Sequence, residues 1–391
     1  MARVLQQDWQ LPKRRDIMSQ IKSSTPLPTA QPVLKVLGLG GGGCNAVNRM
    51  IELGLSGVDF VAANTDNQAL KNSLAPVKIQ LGPRITRGLG AGGIPKIGHA
   101  AAEESYRELE AALAGASMVF LTAGMGGGTG TGAISVAAEA AQAVGAVTIA
   151  IVTTPFSFEM GRRQKNADEG LKLLRPHTNT LIAIPNDRLL EIAPRNLPMD
   201  VAFRLADDVL RQSVQGITEL ITEPGLINVD FAHIRRLMKL GGGALMSIGY
   251  GQGGDKAQAA IDQCLHHPLL DSVSLENAVG IIVNFTGGED LTLLEVSEAL
   301  IQLQSQANTE TEIVLGVIQD EQMQGRTQVI LVATGLGGHP LEDVIPPPQS
   351  KPEPVAEIES EALPFETMPV PMISNASNNL DVPAFLRRRL Q

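Results

Sequence analysis

Short apolar runs alternate with longer amphipathic or Ala-rich segments through the first half of the chain. Residues 33–37, 58–63, 77–81, 117–123 and 146–152 read as strands. Residues 45–53, a segment with Glu103, Glu104, Arg107 and Glu108 on its polar side, and residues 133–143 read as helices. Strands alternating with helices at this spacing predict a mostly parallel sheet covered on both faces. Residues 200–222 predict one long amphipathic helix, with Phe203, Leu210, Val214, Ile217 and Ile221 on its apolar face. Pro198 precedes it and Pro224-Gly225 stops it. Beyond it the pattern changes to strands at 243–250, 278–285, 312–318 and 327–333, with helices at 230–240, 255–265 and 292–305. The expected fold is therefore α/β: a parallel-sheet domain over 33–198, a central helix at 199–224 and a smaller α+β domain over 225–338.

The ends read differently. Residues 1–32 mix Gln, Ser, Thr and Pro with a small basic cluster, Lys13-Arg14-Arg15, and show no period. They read as a disordered arm. Residues 339–378 are Pro- and Glu-rich, with Pro346-Pro347-Pro348 and Lys351 as their one lysine. That composition predicts an acidic, disordered tether. Residues 379–391 combine Asp381 as an N-cap, Pro383 in a first turn, apolar Phe385 and Leu386, and a cationic end from Arg387. A short amphipathic peptide on a tether suits docking into a partner's groove.

Composition narrows the function classes. A net charge of −10 over 391 residues argues against general nucleic-acid binding. Aromatics make up only 3%, so the cores must be aliphatic and Ala-packed. Cys44 and Cys264 form no disulfide framework and no metal spacing, which suits a reducing cytoplasm. No apolar run approaches a bilayer span of about 20 residues, and the N-terminus shows no signal-peptide core. His266-His267 reads as a helix end, since no nearby Cys, Asp or Glu completes a metal set with it.

The candidate chemistry lies in the turns. Gly124-Met125-Gly126-Gly127-Gly128-Thr129-Gly130-Thr131-Gly132 joins a strand end to a helix start. Free backbone N–H groups, the helix dipole and two threonine hydroxyls make it a phosphate cradle. A second cluster, Gly38 to Gly43, fits G-x-G-x-x-G, but the end of the following strand, Ala63-Asn64, lacks the acid of a dinucleotide site. A Rossmann oxidoreductase is thus a weak reading. Gly-Lys-Ser/Thr occurs nowhere, which removes the Walker loop. What remains is a nucleoside phosphate held mainly by backbone amides at the carboxyl ends of parallel strands.

These turns resemble, in order, those of the FtsZ family, the bacterial tubulin-like division proteins. The matching stretches are the cradle itself, Gly40 to Met50, Asn64-Thr65-Asp66, Arg87 to Gly92, Pro155 to Glu159, Ile184 to Asp187 and Ala206 to Leu210. The resemblance covers about residues 33–338 plus the terminal peptide. It implies a tubulin-like fold that binds GTP and polymerises head to tail into the division ring, in the cytoplasm beneath the inner membrane. By the resemblance Gly41, Gly42, Gly43, Asn45, Gly126, Gly127, Gly128, Thr129 and Gly130 hold phosphates. Glu159 and Arg163 lie on the ribose side, and Asn186, Phe203 and Asp207 meet guanine. Spacing alone makes Phe203 a core residue and Asp207 a solvated i,i+4 partner of Arg211. Magnesium is expected with the nucleotide, with no protein ligand assigned.

Two departures from the family pattern matter. Glu159 is followed by Met160-Gly161-Arg162-Arg163 where the family usually has Gly and then basic residues. The family's Asn-x-Asp-x-x-Asp loop, which completes the site of the adjacent subunit, reads Asn228-Val229-Asp230-Phe231-Ala232-His233. His233 replaces a carboxylate: a neutral imidazole can still accept a proton, a protonated one would attract the triphosphate, and Arg235 and Arg236 nearby would add to that attraction. Two functions follow: a filament-forming GTPase with Asn228, Asp230 and His233 as the catalytic loop, or a GTP-dependent structural filament that hydrolyses poorly. Asp381, Pro383, Phe385, Leu386 and Arg387 are expected to bind membrane-anchoring and regulatory division proteins. Neither nucleic-acid binding nor direct membrane insertion is expected.

Overall fold

The structure, a computed structural model, describes residues 31–159, 161–192, 198–270 and 274–336. The arm at 1–30, the tether and the terminal peptide lie outside the described residues. In chain order the elements are β1 (Leu34–Leu39), α1 (Gly40–Glu52), β2 (Asp59–Asn64), α2 (Asn67–Lys71), β3 (Val77–Gln80), α3 (Pro83–Thr86), α4 (Pro95–Glu104), α5 (Tyr106–Leu113), β4 (Met118–Gly124), α6 (Thr129–Ala143) and β5 (Val147–Thr154). Then follow α7 (Arg162–Leu174), β6 (Thr180–Pro185), α8 (Asn186–Ile192), α9 (Met199–Thr222), α10 (Phe231–Lys239), β7 (Gly243–Gln252), α11 (Lys256–Leu265), β8 (Gly280–Gly287), α12 (Leu293–Gln306), β9 (Glu312–Gln319) and β10 (Arg326–Leu336).

Strand alternation sorts the core. In β4, Met118 and Phe120 face one side with α1 and α9, while Val119, Leu121 and Ala123 face the other with α6. The strands run in the order β3-β2-β1-β4-β5-β6-β7-β10-β8-β9. The first six are parallel. β10 pairs antiparallel with β7 and β8, and β9 runs parallel to β8. The seam between these regions is narrow: β6 meets β7 only at Leu181↔Gly243 and Ile182↔Ala244. The mostly parallel α/β sheet with a smaller α+β part is as the periodicity predicts.

Alanine carries much of the packing. In α6, Ala133, Ala137, Ala138, Ala140 and Ala141 are fully buried, so the helix lies close against its neighbours on most sides. α9 buries Leu210, Val214 and Ile217, each contributing about 1.5–3 kcal/mol by removal from water. On the far side of the smaller region, α11 and α12 cover Ile281, Val283, Phe285, Val329 and Leu331. His266 caps the end of α11, as its position suggests.

Four expectations are corrected. The segment bearing Glu103 to Glu108 is two helices broken at Ser105, whose hydroxyl accepts from Gly82 N and donates to Gln80 O across the adjoining turn. Both glycine clusters enter helices earlier than their composition implies, α1 at Gly40 and α6 at Thr129. There close approach, not helix propensity, selects glycine: a Cβ on Gly43 would stand 2.2 Å from Thr122 O. No element was expected between Glu159 and Asp200, where α7, β6 and α8 form. Finally, Thr131 is buried, and its hydroxyl accepts from Gly126 N at 2.8 Å, bracing the turn from inside.

Candidate nucleotide site

β1 and β4 are neighbours in the sheet, but their chains leave in opposite directions, β1 toward β2 and β4 toward β5. This is the switch point at which a crevice opens beyond the carboxyl ends of parallel strands. Two helix N-termini arrive there together, α1 from Gly40 and α6 from Thr129. They nearly touch: a Cβ on Gly40 would lie 2.7 Å from Gly130 N. Neither helix has a side-chain cap on its first turn. The first-turn N–H groups of both helices, which have no partners within the helix, thus converge with two positive dipole ends.

The glycines divide into two kinds. Gly43, Gly126, Gly128 and Gly130 are buried, and a Cβ on any of them would collide with neighbouring backbone. Gly41 and Gly127 differ, because nothing lies within 4 Å of a Cβ built on either. Packing inside the protein does not demand glycine at those two positions, and both line the open side of the turns. Gly42, Asn45 and Thr129 are accessible beside them. Thr129 shares a 2.6 Å hydroxyl contact with Thr65 from the turn after β2. Asn166 on α7 donates to Gly126 O at 3.1 Å and to Gly93 O at 3.4 Å, tying two glycine turns together. Sequence reading missed Asn166 because it missed α7 altogether.

The loop after β5 is held by carboxylates. Glu159 accepts from Phe156 N at 2.9 Å and pairs with Arg163, whose side chain is itself largely exposed. Asp187 accepts from Ser157 N through both oxygens, at 2.9 and 3.1 Å. Met160 lies outside the described residues. Asn186 follows β6 directly and is buried, yet its Oδ1 has no hydrogen-bond partner. An unpaired buried acceptor is costly, about 1–3 kcal/mol, so this position is poised for a donor.

The start of α9 reaches the same end of the sheet. Phe203 meets Phe156 edge-on with ring centroids 5.6 Å apart, and Phe156 stacks on Phe158 at 5.1 Å. Spacing made Phe203 a core residue, but it is 40% exposed. The pairing of Asp207 with Arg211 is also corrected. Arg211 bonds the adjacent Asp208 at 2.7 Å and reaches Gln215. Asp207 is left without a direct ion pair among the described residues. Burial pushes its carboxyl up to about 7, with the Arg49 charge opposing. Arg49 lies on α1 and its Nε is buried without a partner.

Asn228, Asp230 and His233 are not part of this cluster. They follow the far end of α9, and the helix between Asp207 and Thr222 alone separates them by roughly 22 Å. All three are exposed, while Ile234 beside them is fully buried. Asn228 accepts from Gly225 N at 2.7 Å and Asp230 caps α10 through Ala232 N at 2.9 Å. Arg236 is paired with Glu312, so the extra positive charge expected there is reduced to Arg235.

Two family models match the chain: the GTPase domain of the Tubulin/FtsZ family over residues 33–194 and the C-terminal domain of the FtsZ family over residues 242–337. A solved FtsZ from M. jannaschii, an empty dimer, is 42% identical and superposes with a TM-score of 0.75 over 84% of this chain and 93% of its own.

This chain belongs to the FtsZ family.

A point mutant of M. jannaschii FtsZ gives the same identity of 42% with a TM-score of 0.76, covering 84% of this chain and 96% of that one. CetZ2 from Haloferax volcanii, solved as a GTPγS-bound protofilament, is 19% identical with a TM-score of 0.66, over 77% and 92% of the two chains, and shares the fold. Family membership displaces the Rossmann reading of Gly38 to Gly43. The tubulin-like FtsZ fold accounts for the break between the parallel sheet and the mixed sheet on either side of α9. Among the described residues no helix is long and apolar enough to cross a membrane.

Proposed function

We propose that this FtsZ-family chain binds GTP and hydrolyses it at the junction between copies stacked head to tail. The convergence of two uncapped, glycine-lined helix N-termini at one switch point carries the reading. It is an anion site built from backbone, with room left where Gly41 and Gly127 lack a Cβ. In this reading Gly41, Gly42, Gly43, Asn45 and Gly126 to Gly130 hold the phosphates, and Glu159 and Arg163 border the ribose. Asn186, Phe203 and Asp207 select guanine. Ionised Asp207 accepts from the ring N1–H and the exocyclic amine, a pair of donors that adenine lacks, and Phe203 offers a ring to stack on. Magnesium suits the triphosphate. Among the described residues no group of three His, Cys, Asp or Glu side chains is placed to hold an ion. Phosphate oxygens and water commonly supply most of the ligands of a nucleotide-bound magnesium.

Each copy on its own lacks the second half of the site. Exposed Asn228, Asp230 and His233, held at the far end of α9, would approach the phosphates of the next copy and orient the attacking water. The filament reading is supported by the dimeric M. jannaschii FtsZ and by the CetZ2 protofilament. Assembly then forms the division ring at the septum, on the cytoplasmic side of the inner membrane. The terminal peptide from Asp381 to Arg387 recruits membrane-anchoring and regulatory partners.

The test is GTP turnover per chain against chain concentration. A junction site gives a lag and then a steep rise, whereas constant turnover at all concentrations refutes it. A second reading, a filament with weak hydrolysis, is favoured by one observation: His233 stands where the family has a carboxylate. The His233→Asp variant separates the two. Loss of turnover supports a proton-accepting imidazole, and strong acceleration supports the slow filament.

A further inference from the structure

A cavity of about 550 Å³ lies apart from the glycine turns, none of which line it. It lies at the seam where β6 and β7 share only their short register. Its floor is apolar, from Leu181, Ala183, Leu245 and Leu336, and α7 forms one wall. Lys172 and Arg175 stand on that wall, and neither has an ion-pair partner among the described residues. Arg175 reaches over the start of β7, its Nη2 lying 3.7 Å from a Cβ built on Gly243. Asp168 on the same wall leaves the rim with a surplus of positive charge.

The described chain ends at Leu336, on the cavity floor. The sequence continues Gly337-Gly338-His339-Pro340-Leu341-Glu342-Asp343-Val344-Ile345. Two glycines permit a sharp reversal there. From Leu336 to Val344 the chain reaches at most roughly 26–29 Å, ample to double back across the cavity. The stretch pairs apolar Leu341, Val344 and Ile345 with acidic Glu342 and Asp343, which matches an apolar floor under a cationic rim.

We propose that residues 341–345 of the same chain fill this cavity, with Leu341 and Val344 on its floor and Glu342 and Asp343 facing Lys172 and Arg175. The root of the acidic tether is then clamped across the β6–β7 seam, and the free tether starts near Pro346. The terminal peptide is a poorer occupant, because Arg387, Arg388 and Arg389 would meet like charge.

Disulfide trapping in the full-length chain tests this. Cys44 and Cys264 are buried with thiols pushed up to about 12, so they stay silent under mild oxidation. The pair Ala183→Cys with Val344→Cys should close within one chain at least tenfold faster than Leu173→Cys with Val344→Cys, whose first position lies on the exposed side of α7. Leu245→Cys replaces Ala183→Cys if that variant folds poorly. Lys172→Glu with Arg175→Glu should slow closure severalfold, and adding Glu342→Lys with Asp343→Lys should restore it. Equal rates for the two pairs overturn the proposal, as do links between chains, faster trapping of Phe385→Cys than of Val344→Cys, or closure indifferent to the charge reversal.

Discussion

At the carboxyl ends of the parallel strands the molecule offers mainly backbone, and at residues 228–233 it offers side chains. The first region is dense: Gly43, Gly126, Gly128 and Gly130 are packed against neighbouring main chain, so the turns are rigid before any ligand arrives. The second is a short exposed stretch, with Asn228 and Asp230 each spending one oxygen to hold its own turn. A backbone-built site tolerates almost no side-chain growth, but it asks nothing of side-chain identity. A side-chain-built site tolerates substitution structurally and stakes its chemistry on each group. Damage to the two halves should therefore separate binding from turnover.

The largest effect is expected at the packed glycines. Gly43→Ala forces a Cβ to 2.2 Å from Thr122 O. Thermal unfolding should show a loss of about 3 kcal/mol or more, with GTP binding abolished. Gly41→Ala sharpens this, since its Cβ meets no protein atom. It should fold with stability within about 1 kcal/mol of the parent and lose GTP affinity on the order of 10–100-fold, as measured by fluorescent-nucleotide titration. Unchanged affinity would break the assignment of the open side to phosphates.

Next comes the other half. Asp230→Ala should leave GTP affinity of the isolated chain unchanged and cut turnover in assembled chains by about 10²–10⁴-fold. Its lost cap costs α10 only about 1 kcal/mol. A matching loss of affinity in dilute chains would show that the two regions are not separate.

The guanine end gives a graded effect. In the free chain Asp207 keeps its proton up to about pH 7, because burial disfavours the charge. In the proposed site the ionised carboxylate holds guanine, so GTP affinity should fall roughly tenfold for each pH unit below about 7. In the unliganded chain the sign is opposite. The raised carboxyl adds stability at low pH, which is lost as pH climbs through about 7. Asp207→Asn should flatten both dependences in parallel calorimetric and binding titrations.

The smallest effect on the chemistry is expected from the tail. Deleting residues 381–391 should leave GTP turnover within about twofold and abolish recruitment to an adaptor-bearing membrane. Retained recruitment in a vesicle sedimentation assay would remove the terminal peptide from its proposed role.

Much of the architecture is legible in the amino-acid order alone. Apolar periods predict α9 and most strands because those segments bury one face or both, and burial leaves a period in the sequence. The glycine turns are legible because each follows an apolar run. The misses have separate causes. α7 is highly polar, with Ala167, Gly170 and Leu174 as its fully buried residues, so its period is faint. Phe203 fits the helix spacing of a core residue, but it lies near the start of α9, where its ring meets Phe156 of the loop after β5 and stays 40% exposed.

The sequence by itself determined the sheet-and-helix order, the glycine turns at the strand ends and the FtsZ kinship, because these rest on local pattern and on motif order. Only the tertiary structure decided which glycines are held by packing and which face open space. It also decided that Arg211 takes Asp208 and leaves Asp207 half-buried without a direct ion pair, and that Arg236 is spent on Glu312. Above all it put Asn228, Asp230 and His233 a helix length away from the glycine turns. Spacing along a chain says which residues share a face. It does not say which neighbour a charge meets first, or how far one rigid helix holds two loops apart.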